Sequence, residues 1–135
     1  MKLYTSYFAN LKKLPEDIVP IAIAGKLPEW YKGLRYKPLA PKFEDFQWWL
    51  LTHDEGEYTK RYYENILNKL DPSVVVTKFI ALSGGKDVAL ICYEKSGDFC
   101  HRHIVAEWLT KYGAPCVEWT PSNVKDNSNN NSKKE

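Results

Sequence analysis

Leu90-Ile91-Cys92-Tyr93-Glu94-Lys95-Ser96-Gly97-Asp98-Phe99-Cys100-His101-Arg102 reads as the end of a buried strand, a polar turn and the first turn of a helix. The strand, Val88 to Tyr93, is the clearest one in the chain. The helix runs from about Cys100 to Tyr112, Gly113 stands in the helix-ending position, and a last strand follows from Pro115 to Trp119. Such a unit puts its loop and helix N-terminus at the carboxyl edge of a sheet, where open α/β folds bind their ligands.

Working outward, Lys2 to Phe8 and Ile18 to Ala24 also read as strands, the second apolar on both alternating faces as a central parallel strand covered on each side is. Pro20 has no N–H to give to a ladder, so the paired part of the second strand is expected to begin at Ile21. From Lys26 to Phe46, Pro28, Gly33, Pro38 and Pro41 punctuate Trp30, Tyr31, Tyr36 and Phe43, which reads as a connection without regular structure. Connections of that length usually serve as lids or binding loops. Glu57 to Leu70 has helical period, with Tyr63, Ile66, Leu67 and Leu70 as its apolar stripe. Asp71-Pro72-Ser73 stops that helix and caps another, Val74 to Leu82, before the turn Ser83-Gly84-Gly85-Lys86-Asp87.

Strands alternating with helices predict a single three-layer α/β domain over residues 2–120, Rossmann-like, with a mostly parallel sheet and helices on both faces. The tail 121–135 lacks a hydrophobic period and is expected to be disordered. The 135-residue chain is 44% apolar and 27% charged, with five Trp and nine Tyr, which suits one core and argues against general disorder. Its 19 basic and 17 acidic residues leave a net charge of +2, without the cationic excess that phosphate neutralisation along a duplex needs. No segment is apolar enough to span a bilayer, and charge and Pro come too early at the start for a signal peptide, so a soluble, cytoplasmic protein is expected. Three cysteines, an odd number without secretory context, point to free thiols.

Cys100 is the thiol whose surroundings differ from the others. At a helix start the unpaired N–H groups and the dipole favour a thiolate or a bound anion, and Arg102 adds a fork of donors. His101, Val105 and Trp108 share one helical face, so His101 is the site histidine, whereas His103 falls with Glu107 on the other. Glu94, at the strand end, is either a general acid or base or a partner for Arg102. Cys100 itself is either a reactive thiolate or a small buried hydrophobe, while Cys92 and Cys116 read as core. Zinc is not expected, because Cys92, Cys100, His101 and His103 would draw ligands from both faces of one helix. Ser6, Tyr7, Ala24 and Gly25 lie at the same sheet edge, where Ser6, Tyr7 and Gly25 are candidate anion contacts. His53 sits in a polar turn and is expected to face solvent.

The run Leu90-Ile91-Cys92-Tyr93-Glu94-Lys95, followed by Cys100-His101-Arg102-His103-Ile104-Val105-Ala106, resembles the signature of domain-of-unknown-function family 488. That signature is a strand ending in Cys-x-Glu and a Cys-His-Arg helix start. Tyr4-Thr5-Ser6-Tyr7-Phe8 is similar to the family's N-terminal strand, so the resemblance spans roughly residues 2 to 119. Ile23-Ala24-Gly25 departs from the acidic and basic residues that many members carry on the second strand. The resemblance implies a compact α/β fold and a shared site around Glu94, Cys100, His101 and Arg102, without an established activity.

The expected function is an anion or nucleotide pocket at the sheet edge, with Cys100 as nucleophile, Glu94 as acid or base, His101 orienting or deprotonating Cys100, and Arg102 clamping phosphate. A phosphorylated small molecule or nucleotide is the expected partner, and neither cofactor nor metal is called for. The competing reading is a non-catalytic module whose aromatic and basic loop, residues 26–49, binds nucleic acid or protein.

Overall fold

The structure, a computed structural model, describes residues 1–94 and 99–122. The expected disordered tail from residue 123 and the centre of the Glu94 to Phe99 loop lie outside the described residues. The strands are β1 (Leu3–Tyr7), β2 (Ile18–Ala22), β3 (Leu34–Arg35), β4 (Asp87–Cys92) and β5 (Cys116–Glu118). The helices are α1 (Phe43–Thr52), α2 (Glu55–Asn65), α3 (Pro72–Ser83) and α4 (His101–Tyr112). All strands pair in parallel, in the order β3-β2-β4-β1-β5, so β4 lies at the centre.

Connection handedness explains what covers each face. The chain moves one way across the sheet from β1 through β2 to β3, and the other way from β3 through β4 to β5. Right-handed crossovers therefore put the two sets of connections on opposite faces. On one face Leu3, Ile21, Val88 and Leu90 pack against Tyr58 and Tyr62 of α2, Phe79 of α3, and Val105 and Leu109 of α4. On the other, Tyr4, Ala22, Ala89 and Ile91 are covered by Phe8 from a 3-10 helix (Phe8–Lys13) and by Tyr31, Leu11, Leu14 and Leu27. The third layer is thus a 3-10 helix and a loop rather than the α-helices expected there. The order also differs from the 3-2-1-4-5 arrangement of dinucleotide-binding folds, so no dinucleotide site follows from topology.

Pro20 corrects the expected start of the second strand, because β2 pairs from Ile18 onward. Ala22 turns its carbonyl to the β3 side, where it accepts from the Tyr36 N–H, while Ile23 donates to Ile91 on the β4 side. Pro20, two residues before Ala22, therefore aims its nitrogen at the β3 side, where pairing starts only at Ile21 opposite Leu34. No ladder bond is lost.

The region expected to be an irregular loop contains β3, a 3-10 turn (Lys37–Leu39) and the start of α1. Helix α1 follows Pro41, carries Glu44 and Asp45 in its first turn, where the dipole favours them, and ends on His53 in the left-handed conformation (φ 52°). Exposed His53 then hands over to Asp54, which caps α2 by accepting from the Glu57 N–H at 3.1 Å. Helix α2 begins earlier and ends sooner than expected, and Leu67–Lys69 is a separate 3-10 turn. Of the expected stripe Ile66 and Leu67 are buried, just past the helix, while Tyr63 and Leu70 are half-buried and Tyr58 and Tyr62 form the buried face of α2. Among the described residues no helix is long and apolar enough to cross a membrane.

Candidate functional site

The carboxyl ends of β2 and β4 open into a cavity of about 470 Å³. Ala24, Gly25 and Lys26 follow β2 and form one wall, while Cys92, Tyr93 and Glu94 end β4 and form a second. Lys37, Ala40, Pro41, Phe43 and Phe46, leading into α1, close a third side, and His101 contributes from the first turn of α4. Most of this lining is apolar. The charged groups on it are Lys26, Lys37 and Glu94, which suits a small molecule with an apolar body and a charged end. The long connection after β2 is therefore a wall of the cavity, held in place by one buried and one exposed hydrogen bond. The fully buried Tyr62 donates its hydroxyl to the Leu39 carbonyl at 2.6 Å, and Arg35 donates to the Gly25 carbonyl at 2.9 Å.

His101 is oriented from both sides. Its Nε2 lies 2.8 Å from the Ile23 carbonyl, which can only accept, so the ring proton sits on Nε2 and the Nδ1 lone pair is free. Nδ1 faces the Cys100 sulfur at 3.8 Å. The ring is buried, with Tyr62 packed edge-on at 5.5 Å between centroids. Burial, with the Arg102 charge as a smaller contribution, pushes the imidazole down to about 4. His101 is thus neutral at physiological pH, with a lone pair free to orient a thiol or to ligate a metal and a low affinity for a proton of its own.

The sulfurs correct the expectation of free thiols. Cys92, at the end of β4, and Cys100, the N-cap of α4, form a disulfide, while Cys116 is a free thiol. Burial, with Glu118 nearby, pushes the Cys116 thiol up to about 12, so it stays protonated and inert. Cys92, read from the sequence as core, lies on the cavity wall. Its position as the last strand residue before the loop carried that signal.

Arg102 is placed differently from the expected phosphate clamp. It is completely buried, and Nε and Nη2 donate to the two carboxylate oxygens of Glu118 at 3.1 and 3.0 Å. Its Nη1 donates to the Glu94 carbonyl and to the Cys92 sulfur at 3.3 Å. Glu118 also accepts from the Thr5 hydroxyl at 2.6 Å. A cation in the first turn of a helix meets an unfavourable dipole, and the carboxylate from β5 offsets this. Arg102 thereby fixes the backbone at Glu94 and the sulfur of Cys92. It positions the site and does not line the cavity.

Of the other candidates, Gly25 and Glu94 reach the cavity. Ser6 is fully buried within β1, its hydroxyl 3.5 Å from the Asn10 amide, and Tyr7 sits beneath the Arg102 guanidinium at 5.6 Å. Both belong to the β1 side of the edge, with Arg102, and not to the cavity. Glu107 ion-pairs with Lys111 at 2.9 Å on the outer face of α4. Sequence reasoning missed Lys26 and Lys37 as cavity residues and Glu118 as the partner of Arg102. Nothing local marks Glu118, because the contact spans sixteen residues and depends on β5 lying beside β1.

Fold and site together define a parallel-sheet α/β protein with two cysteines and an oriented histidine at the carboxyl edge. The chain belongs to the DUF488 family, as its motifs implied, since the family profile matches residues 9–113. Within that family the match is to DUF488-N3a, described as the active DUF488-N3 subclade. No curated protein and no solved structure matches the chain.

Proposed function

We propose that the protein is a cytoplasmic, thiol-dependent enzyme whose substrate is a small molecule with an apolar body and a phosphate or carboxylate. The observation that carries this reading is His101, which lines the cavity beside Cys92 and turns its Nδ1 to the sulfur of the buried Cys100 behind that wall. In the reduced protein His101 orients the Cys100 thiol and relays its proton to the leaving group as the sulfur bonds to an electrophilic carbon or phosphorus of the substrate and the bond to that group breaks; water, with Glu94 as base, then cleaves the covalent intermediate and restores the thiol. Lys26 and Lys37 on the cavity wall hold the anion, the role expected of Arg102 from the sequence. Reductants of the cytoplasm supply the free thiol.

The test is a melting-temperature screen of phosphorylated and carboxylated metabolites with the reduced protein. A true substrate stabilises both the wild type and Cys100→Ser and is consumed by the wild type alone. Equal turnover by Cys100→Ser overturns the reading. Binding of labelled oligonucleotides that weakens with salt and is lost in Lys37→Ala would instead favour the loop-binding alternative, for which the 60% exposed Trp30 is the available stacking surface.

A further inference from the structure

We propose that Cys92, Cys100 and His101, in the reduced protein, form a binding site for a thiophilic divalent cation of the zinc type, with its fourth coordination position open to the cavity. The inference goes beyond thiol catalysis and does not need it. Their donor atoms, two Sγ and one imidazole nitrogen, all lie within 4.8 Å of one another, and all three residues are buried. Donors around a tetrahedral zinc at about 2.3 Å (sulfur) and 2.1 Å (nitrogen) stand roughly 3.5–4 Å apart, so small side-chain rotations close the set.

Three further features point the same way. The Ile23 carbonyl takes the Nε2 proton and leaves the Nδ1 lone pair toward the sulfurs, as backbone carbonyls do for metal-ligating histidines. Cys92 ends β4 and Cys100 caps α4, so the two sulfurs are brought face to face by one strand end and the adjoining helix start. Arg102 donates to the Cys92 sulfur at 3.3 Å, which favours a thiolate there. His103, counted among the zinc ligands weighed from the sequence, is not needed in the set. The geometry needs only residues from one strand end and the adjoining helix start, and Cys92 and His101 on the cavity wall leave one side of the ion open.

Disulfide and metal exclude each other. An external dithiol gives two electrons and two protons to the Cys92–Cys100 bond and is itself oxidised to a disulfide. The cation then displaces both thiol protons to solvent. Metal binding accordingly masks Cys100 and is set by redox state.

The test titrates Co2+ into the full chain after reduction and removal of the reductant under anaerobic conditions. The expected result is one equivalent bound, with tetrahedral d–d bands and sulfur-to-cobalt charge transfer, displaced by Zn2+. The oxidised protein shows no such spectrum, Cys92→Ser loses most of the charge transfer, and His101→Gln weakens binding about tenfold or more. Circular dichroism confirms that each variant is folded. Absence of the spectrum in the reduced, folded wild type overturns the proposal, as does its persistence in the Cys92→Ser/Cys100→Ser protein. The alkylation rate of Cys100 in metal-free protein is read separately. A reactive Cys100 without cobalt binding sinks the metal site alone, and cobalt binding with an inert Cys100 sinks the thiol mechanism alone.

Discussion

Glu118→Gln keeps the shape of the side chain and removes its charge, taking from the guanidinium of Arg102, which has no solvent exposure, the carboxylate it pairs with. Loss of one partner from a buried ion pair costs about 3–5 kcal/mol, because the remaining charge is stranded away from water. Glu118 is itself 20% exposed, so some water reaches the site and the lower end, about 3 kcal/mol, applies. With a urea dependence of about 2 kcal/mol/M for a domain of this size, the unfolding midpoint falls by about 1.5 M. Urea titration followed by circular dichroism measures it. Glu107→Gln, which breaks an ion pair with both side chains well exposed, serves as control and leaves the midpoint unchanged within error. Arg102→Met combined with Glu118→Gln is less destabilised than Glu118→Gln alone, since no charge is left unpaired. A midpoint shift below about 0.5 M for Glu118→Gln would refute the assignment of Arg102 as a buried, carboxylate-dependent positioning residue.

Three other outcomes follow from the same structure. His101 is held down to about 4 when folded against 6.5 when unfolded, so the unfolded chain binds more protons between these values and stability falls with acidity. Between pH 7.5 and pH 5 the wild type loses about 2 kcal/mol more than His101→Gln, as read by urea melts at both pH values, and parallel losses would contradict the assignment. Tyr62→Phe leaves the Leu39 carbonyl without its buried donor and lowers stability by about 1–2 kcal/mol, with increased protease susceptibility of the cavity wall at residues 37–43. Gly113→Ala forces a Cβ into the left-handed region at φ 114° where α4 ends and lowers the melting temperature, although no neighbouring atom obstructs it.

The sequence disclosed the elements whose apolar pattern is set locally. The continuous run Val88 to Cys92 is buried on both faces, and Gly113 ends α4 in the conformation expected. Helix α1 was hidden because Pro38, Pro41 and the surrounding aromatic residues read as punctuation, whereas Phe43 to Thr52 is held by the packing of Trp48 and Trp49 against α2 and the core. The face of α2 was misread because Tyr58 and Tyr62 have polar tips, and only the tertiary contact with Leu39 satisfies the Tyr62 hydroxyl. At the site, the helix start marked Cys100 and His101, and the strand end marked Glu94. The role of Arg102 could not be read, since a buried arginine and a ligand clamp look alike until the carboxylate across the sheet is known. The pairing of Cys92 with Cys100 was equally hidden, because an odd cysteine count says nothing about which sulfurs the fold brings together.

The central claim is that Cys92 and Cys100 form one redox-sensitive unit with His101, beside a cavity that admits small molecules. Alkylation of the native protein by iodoacetamide, before and after reduction and read residue by residue by mass spectrometry, tests it most directly. Cys92 and Cys100 are expected to resist the reagent and appear as a linked peptide before reduction, and Cys100, beside His101, then to react much faster than the equally buried Cys116, whose thiol is pushed up. A native protein in which no linked peptide is found and Cys100 reacts no faster than Cys116 after reduction would contradict it.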